Sequence, residues 1–255
     1  MEFYSLLGTG LGIIVLLGGA VMAGLSPGDL VSGSALLLVG GGTAAALLLS
    51  FSAQELREAW SLLPMVYRKV EQDLGSLIEE VVRIAEISRK EGVLAIEPHW
   101  EAIEDPLFKK ATRFVIDGFD AGALKEMIES EISVAYEKDL AAADVLEAAG
   151  KSAVRLGFLG AVVGLIPAMK VLADFSKAGP AIAVALLSLV YGFGAAYLIL
   201  LPAGRKLRSR AAQARVAKEV VKFGVVGIQE GLNPNFLRER LEVFLFADRN
   251  AGSLD

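Results

Sequence analysis

The sequence predicts an all-α membrane protein with four transmembrane helices and a helical cytoplasmic domain between spans 2 and 3. Three observations lead there. The 255-residue chain is 54% hydrophobic and 22% charged, with mean hydropathy +0.54, more apolar than a soluble domain of ordinary composition. Charge is absent from three runs that are each long enough to cross a bilayer. The charged stretches between them repeat apolar residues at helical spacing, and no strand alternation stands out.

Taken in chain order, Phe3–Gly28 is an uncharged run of 26 residues and Leu30–Gln54 is one of 25, with Asp29 between them. A third, Ala178–Gly204, has 27. About 20 apolar residues cross a hydrocarbon core, so each run can span. The first lacks a Lys/Arg lead and its apolar stretch is too long for a cleaved signal peptide, so it reads as a retained span. The remaining span is shorter: Leu156–Met169, 14 residues bounded by Arg155 and Lys170. It extends to Leu172 when Lys170 snorkels to the head groups.

Lys and Arg set the orientation. Residues 54–155 hold 13 and residues 205–255 hold 10, the loop Lys170–Lys177 holds 2, and the first hairpin loop holds none. Four passes put the first two of these segments on one side, which the positive-inside rule makes cytoplasmic. Arg205, Lys206, Arg208 and Arg210, directly after the last span, weigh most. The expected division is therefore a transmembrane hairpin at 1–53, a cytoplasmic helical domain at 54–152, a second hairpin at 153–204 and cytoplasmic C-terminal helices at 205–255. Both termini fall on the cytoplasmic side.

The segment 54–155 carries 21 acidic and 13 basic residues. Leu74, Leu77, Ile78, Val81, Val82, Ile84 and Ala85 recur near the 3.6 period, with Glu79, Glu80, Arg83 and Glu86 on the other face, and Gly92 closes that helix. Asp105-Pro106 opens another, since Asp caps and Pro suits the first helical position. Its stripe is Leu107, Ala111, Phe114 and Val115, and Asp117-Gly118 stops it. A third helix runs from about Ala121 to Glu147 on Leu124, Met127, Ile128, Ile132 and Ala135, and continues into the third span. In the tail, Arg205 to about Gly231 is helical with a stripe of Val216, Val220, Phe223 and Val226. Asn233-Pro234 starts a last helix on Leu237, Leu241, Phe244 and Leu245.

Several function classes are disfavoured. There is no Cys, so neither a disulfide scaffold nor a thiol nucleophile is available, and a single His rules out multi-His metal sites. The net charge of −5 argues against a nucleic-acid binder, and no phosphate-loop or dinucleotide fingerprint is present. The lone imidazole, His99, lies near Glu97 and Glu101, where a surface or packed role is more common than general-base chemistry. No enzyme activity, cofactor or metal is expected.

The spans also lack something. No Asp, Glu, Lys, Arg or His falls at mid-membrane, where proton relays and ion paths normally place one. Yet small residues are frequent: Gly8/Gly12, Gly40/Ala44 and Gly160/Gly164 are small-xxx-small pairs, and Ala181, Ala185, Ser188, Gly192 and Ala195 share one face of the last span. That long stripe is expected to meet another chain, and the Ser188 and Tyr191 it carries are expected to line a wet path.

The order of hairpin, cytoplasmic domain, hairpin and tail resembles the flagellar stator A-subunit family, MotA/PomA, over nearly the whole chain. The stretches that carry the resemblance are Leu36–Ala45, Ser88–Gly92, Ile96-Glu97, Glu104–Pro106, Leu156–Leu165, Gly179–Ala185, Tyr191-Gly192, Leu201-Pro202 and Gln229–Pro234. Each is short, but their order and spacing together are specific. The resemblance implies a ring, thought to be a pentamer, around a MotB-type partner that carries the ion-binding Asp and is anchored to peptidoglycan. It further implies a bacterial inner-membrane location and torque on the rotor protein FliG, and the companion's Asp would supply what these spans lack.

Residue by residue, the resemblance implies rotor contacts for Arg89 and Glu97 and a coupling role for Pro202. It implies an ion-path or partner-helix face that includes Ala161 and Leu189 besides the stripe already named. Ala161 and Leu189 stand where sodium-type members carry Thr. The translocated ion therefore leans to H⁺ over Na⁺, because hydroxyl oxygens suit a hard cation. Val154 replaces the family's Pro early in the third span. Within the wider superfamily, an ExbB/TolQ-like energy-transducing subunit is the near alternative, although that branch has one span before its cytoplasmic domain. A non-motor membrane scaffold is the more distant one.

Overall fold

The computed structural model describes residues 3–67 and 73–251. Residues 1, 2, 68–72 and 252–255, parts of the predicted first hairpin, middle domain and tail, lie outside the description. Among the described residues every regular element is helical, as the periodicity predicted. The chain divides into two compact units, one of residues 1–69 and 140–208, the other of 70–139 and 209–255. The sequence-based cuts at 53, 152 and 204 follow where charge begins. The units follow backbone proximity instead, and the first extends beyond the uncharged runs to residues 69, 140 and 208.

The first unit begins with α1, Phe3–Met22. After a short 3₁₀ turn at Pro27–Leu30 the chain forms α2, Gly33–Leu36, a wide π turn at Leu37–Gly41, and α3, Gly42–Ser50. The π turn falls on Gly40 and Gly41, residues that favour the regular helix least after proline. Phe51 is extended, and α4, Ala53–Leu62, restarts from a capping box in which Ser52 and Glu55 satisfy each other's backbone. The unit also takes the C-terminal part of α8, Ala121–Lys170, and all of α9, Phe175–Gly194. A second π turn, Ala195–Leu200, leads into α10, Leu201–Gln229. Pro202 explains its place: the ring of a helical proline clashes with the carbonyl four residues back, here Leu198, inside the widened turn.

Three segments, Pro27–Ser50, Ala121–Lys170 and Ser176–Gln229, contain stretches long and apolar enough to cross a membrane. The first run forms the apolar helix Leu7–Met22, shorter by the same measure. The chain is thus an all-α membrane protein. The third helix is indeed continuous with the third span, and it runs unbroken through Pro167.

The second unit holds a conventional core. In α5, Leu74–Glu91, the predicted stripe is buried except for half-buried Leu77. Asp73 caps its start, and Gly92 at φ 92° ends it, a backbone region that favours glycine. A brief 3₁₀ turn and the four-residue α6, Glu97–Trp100, lead to α7, Pro106–Ile116. The Asp105 carboxylate accepts from Phe108 N at 2.7 Å, the cap the sequence predicted. Phe108 and Thr112, absent from the predicted stripe, are fully buried because α7 is covered on a broader face. The core is completed by α8, α10 and α11, Pro234–Ala251.

The tail stripe needs correction. Val216, Phe223 and Val226 are only half-buried, whereas Ala217, Val221, Gly224, Val225 and Ile228 are buried. Two partners explain this. Gly224 lies against Val81 of α5 and Gly227 against Leu237 of α11, so α10 is covered on two sides and one 3.6-period stripe is too narrow a description.

Candidate functional site

The second hairpin is built around a close seam between α8 and α9. A Cβ added at Gly157 would lie 2.9 Å from the Ser188 carbonyl oxygen, at Gly160 2.9 Å from the Ser188 Cβ, and at Gly164 2.9 Å from the Ala185 Cα. Gly192 answers from α9: a Cβ there would lie 2.6 Å from the Ala153 carbonyl oxygen and 2.9 Å from the Gly157 Cα. Small residues let membrane helices approach this closely, and dispersion between the backbones then holds them together.

Three residues of the small-residue stripe expected to meet another chain find a partner within this one, while Ala181 and Ala195 stay half-buried. Ala185, Ser188 and Gly192 are buried against α8 of the same chain. Small residues on one face signal close approach but not whose helix approaches. Ala181 and Leu189 are half-buried, and Ala161 is buried. Tyr191 is also committed within the unit. Its hydroxyl donates to the Leu30 carbonyl oxygen at 2.6 Å and accepts from Ser32 N at 2.9 Å, tying the loop of the first hairpin to the last span. Of the other pairs, Gly12 meets Leu198, while Gly8 and Gly40 face open space.

What the hairpin leaves uncovered is apolar and aromatic. Phe158 and Phe193 meet edge to face at 5.6 Å, and Phe193 stacks on Tyr197 at 5.9 Å. All three are exposed in this chain, as are Val162, Leu186 and Val190. Large apolar side chains in a span carry no sequence signal that distinguishes a partner from lipid, so this surface is not marked in the sequence. Apart from the Tyr197 phenol the surface is hydrocarbon, with no carboxylate, amine or imidazole among these residues, so it suits the packing of another helix. Val154, at the departure from the family's proline, is half-buried beside Val39, Ala153 and Ala196. Pro202 is exposed immediately after the π turn.

In the second unit, Arg89 and Glu97 are both exposed. Arg89 lies in the last turn of α5, where a cation complements the helix dipole, and its guanidinium reaches the Gly231 carbonyl only at 3.5 Å. Glu97 is the first residue of α6, at the end of a helix that favours an anion. Neighbouring charges are committed to one another: Arg238 makes a forked pair with Glu79, 2.8 Å on one arm. That contact holds the Glu79 carboxyl below its ordinary range. Burial raises Glu80, whose carboxylate accepts weakly from Glu104 N. His99 is exposed, and no cluster of three or more His, Cys, Asp or Glu suited to a metal occurs among the described residues.

These features define a helical membrane protein whose second hairpin packs closely and whose uncharged runs hold no Asp, Glu, Lys, Arg or His. Comparison with known proteins places it. Residues 99–220 match the model of the MotA/TolQ/ExbB proton channel family. The chain is 32% identical over 231 residues to the uncharacterized protein YtxD of Bacillus subtilis, covering 88% of this chain and 85% of that one. It is 28% identical to motility protein A of the same organism, over 96% of this chain and 91% of that one. The flagellar MotAB stator complex from Bacillus subtilis contains a chain that superimposes with a TM-score of 0.87 at 27% identity, covering 98% of both. The chain belongs to the MotA/TolQ/ExbB proton channel family, on its MotA/PomA flagellar stator side.

Proposed function

We propose that this chain is the ring-forming subunit of an ion-driven flagellar stator, with four passes through the bacterial inner membrane and residues 54–155 and 205–255 in the cytoplasm. Several copies, five by the family's pattern, surround a MotB-type companion whose single span supplies the ion-binding Asp. The observation that carries this reading is the absence of any Asp, Glu, Lys, Arg or His from the uncharged runs of a chain that aligns with a stator subunit over nearly its full length. An ion path then needs an acid from elsewhere. The apolar faces of the second hairpin, with Phe158 and Phe193, suit the packing of a companion helix.

The ion we propose is the proton. Ala161 and Leu189 carry no hydroxyl, and the nearby Ser188 is 1% exposed in the α8–α9 seam, where it cannot help dehydrate Na⁺. Arg89 and Glu97, exposed at adjoining helix ends, are the groups proposed to meet FliG, because charge left in solvent is free to engage a charged partner. Pro202, beside the widened turn, is proposed to couple the last span to the helix beyond it.

The test is complementation of a non-motile host lacking its stator with this chain and its companion. Swimming should be restored and should persist without Na⁺. Arg89→Glu should reduce torque while complex assembly, read by size-exclusion chromatography, is unchanged. Normal swimming by Arg89→Glu would remove the proposed rotor contact, and swimming that requires Na⁺ would reverse the choice of ion.

A further inference from the structure

The sequence around the first π turn is written in triplets. Residues 36–38 are Leu, 40–42 Gly, 44–46 Ala and 47–49 Leu, with Val39 and Thr43 between them. A π turn holds one residue more than the α-helix it interrupts. When that extra residue passes along a helix, each residue it passes moves into the place of the one that follows, a shift of about 1.5 Å and a turn of about 100°. Both ends of the helix stay where they are. In an ordinary sequence the shift exchanges unlike side chains and breaks the packing. Here, passage of the turn from Leu37–Gly41 to the Leu triplet puts Gly41 in the place of Gly42, Ala44 in that of Ala45 and Ala45 in that of Ala46. Only two places receive a different side chain: Gly42 enters that of Thr43, and Thr43 enters that of Ala44.

The structure marks the same two places. The Thr43 hydroxyl is buried and has no hydrogen-bond partner among the described residues, so the observed register leaves it at a cost. The place of Ala44 is exposed, and a helical threonine there can donate to a carbonyl one turn back. Room for the exchange exists, since Gly40, Thr43, Ala44 and Leu47 border a cleft of about 270 Å³. At the end of the turn the Gly42 N–H is already shared between the Leu38 and Val39 carbonyls. The ends are held, by the Tyr191 hydroxyl on Ser32 N and by the capping box of Ser52 and Glu55. The second π turn, Ala195–Leu200, differs on both counts: Pro202 follows it directly, and its residues do not repeat in triplets.

We propose that the helical segment Gly33–Ser50 is a two-register switch, in which the π turn moves between Leu37–Gly41 and the Leu triplet and turns residues 42–46 against α8 while both ends stay fixed. The first hairpin can then follow a movement of α8 without shifting its loop or the cap of α4. The switch is a property of this chain alone. Its failure would leave the stator reading untouched, and failure of complementation would leave the switch untouched.

The test uses the full chain in lipid nanodiscs with ¹³C-labelled Ala and Thr methyl groups. Helix register shifts fall in the μs–ms range. Methyl relaxation dispersion, or paired peaks for slower exchange, should appear at Thr43, Ala44, Ala45 and Ala46 and be absent at Ala185, which is fixed in the α8–α9 seam. Gly41→Val suits the observed register, where Gly41 is exposed and a Cβ meets only Leu37 Cδ1, at 3.6 Å. In the other register it takes the place of Gly42, where a Cβ lies 3.1 Å from both Leu156 Cδ atoms. It should therefore abolish the exchange, as should deletion of Gly41, which removes the extra residue. Thr43→Ala relieves the observed register of its unpaired hydroxyl and should lower the second population about two- to tenfold, the effect of one hydrogen bond. No exchange at 43–46 in the unmodified chain, exchange that persists in Gly41→Val, or a second population that Thr43→Ala leaves unchanged would each overturn the proposal.

Discussion

Gly192→Ala is the sharpest test of the seam that organises the second hairpin. The added Cβ would lie 2.6 Å from the Ala153 carbonyl oxygen and 2.9 Å from the Gly157 Cα, where ordinary contact begins near 3.4 Å. Both obstacles are backbone, so no side chain can rotate away, and α8 and α9 must separate by several tenths of an ångström. That separation loosens the neighbouring contacts at Gly157, Gly160 and Gly164 together. Overpacking of this kind costs about 1–3 kcal/mol, and backbone obstacles favour the upper end. For a chain of this size each kcal/mol lowers the melting temperature by about 2–4 °C, so a fall of roughly 6–12 °C is expected. The assay is thermal unfolding of the purified chain in detergent, followed by loss of the monodisperse size-exclusion peak. Gly179→Ala is the control, because nothing lies within 4 Å of a Cβ there. A melting temperature for Gly192→Ala equal to that of the control would refute the close-packed seam.

Other perturbations probe separate parts of the structure. Ser188→Asp places a charge at a side chain that is 1% exposed between two helices, and should prevent accumulation of folded protein in the membrane, read by protease resistance. Tyr191→Phe leaves Ser32 N and the Leu30 carbonyl without their partner, and should cost about 1–3 kcal/mol in the same melting assay. Glu80→Gln should match or exceed the unmodified chain in stability at neutral pH. Burial raises the folded pKa of Glu80 against the opposing pull of the Glu104 backbone N–H and Arg83, with the Glu104 and Asp105 charges adding to the rise, so stability held below its usual 4.5 is lost as pH rises through the raised value. Denaturation compared at neutral and acidic pH should show the advantage of the Gln variant shrinking as pH falls.

The particular places where sequence and structure part company share a cause. Asp105-Pro106, Asp117-Gly118 and Gly92 were legible because a cap or a stop is a local event, decided by one side chain and the backbone within a few residues of it. The stripe of α5 was legible because one face of that helix is covered and the other is wet. The stripe of α10 was not, because α5 and α11 cover it from two sides. Lys222 makes the same point: it is 6% exposed, paired with Glu219 at 2.5 Å, and nothing in its sequence neighbourhood announces a buried lysine.

The sequence by itself determined that the chain is helical, that its long uncharged runs belong in a membrane, and that those runs contain no acid to carry an ion. These are properties of composition and period, which the bilayer reads directly. Only the tertiary structure decided which helix each small-residue face would meet. Ala185, Ser188 and Gly192 turned out to serve a seam within the chain, and the aromatic surface at Phe158 and Phe193 remained open. In lipid an apolar face is content against a tail, a neighbouring span or a second subunit, so the choice among them is made by three-dimensional fit and leaves no mark in the order of residues.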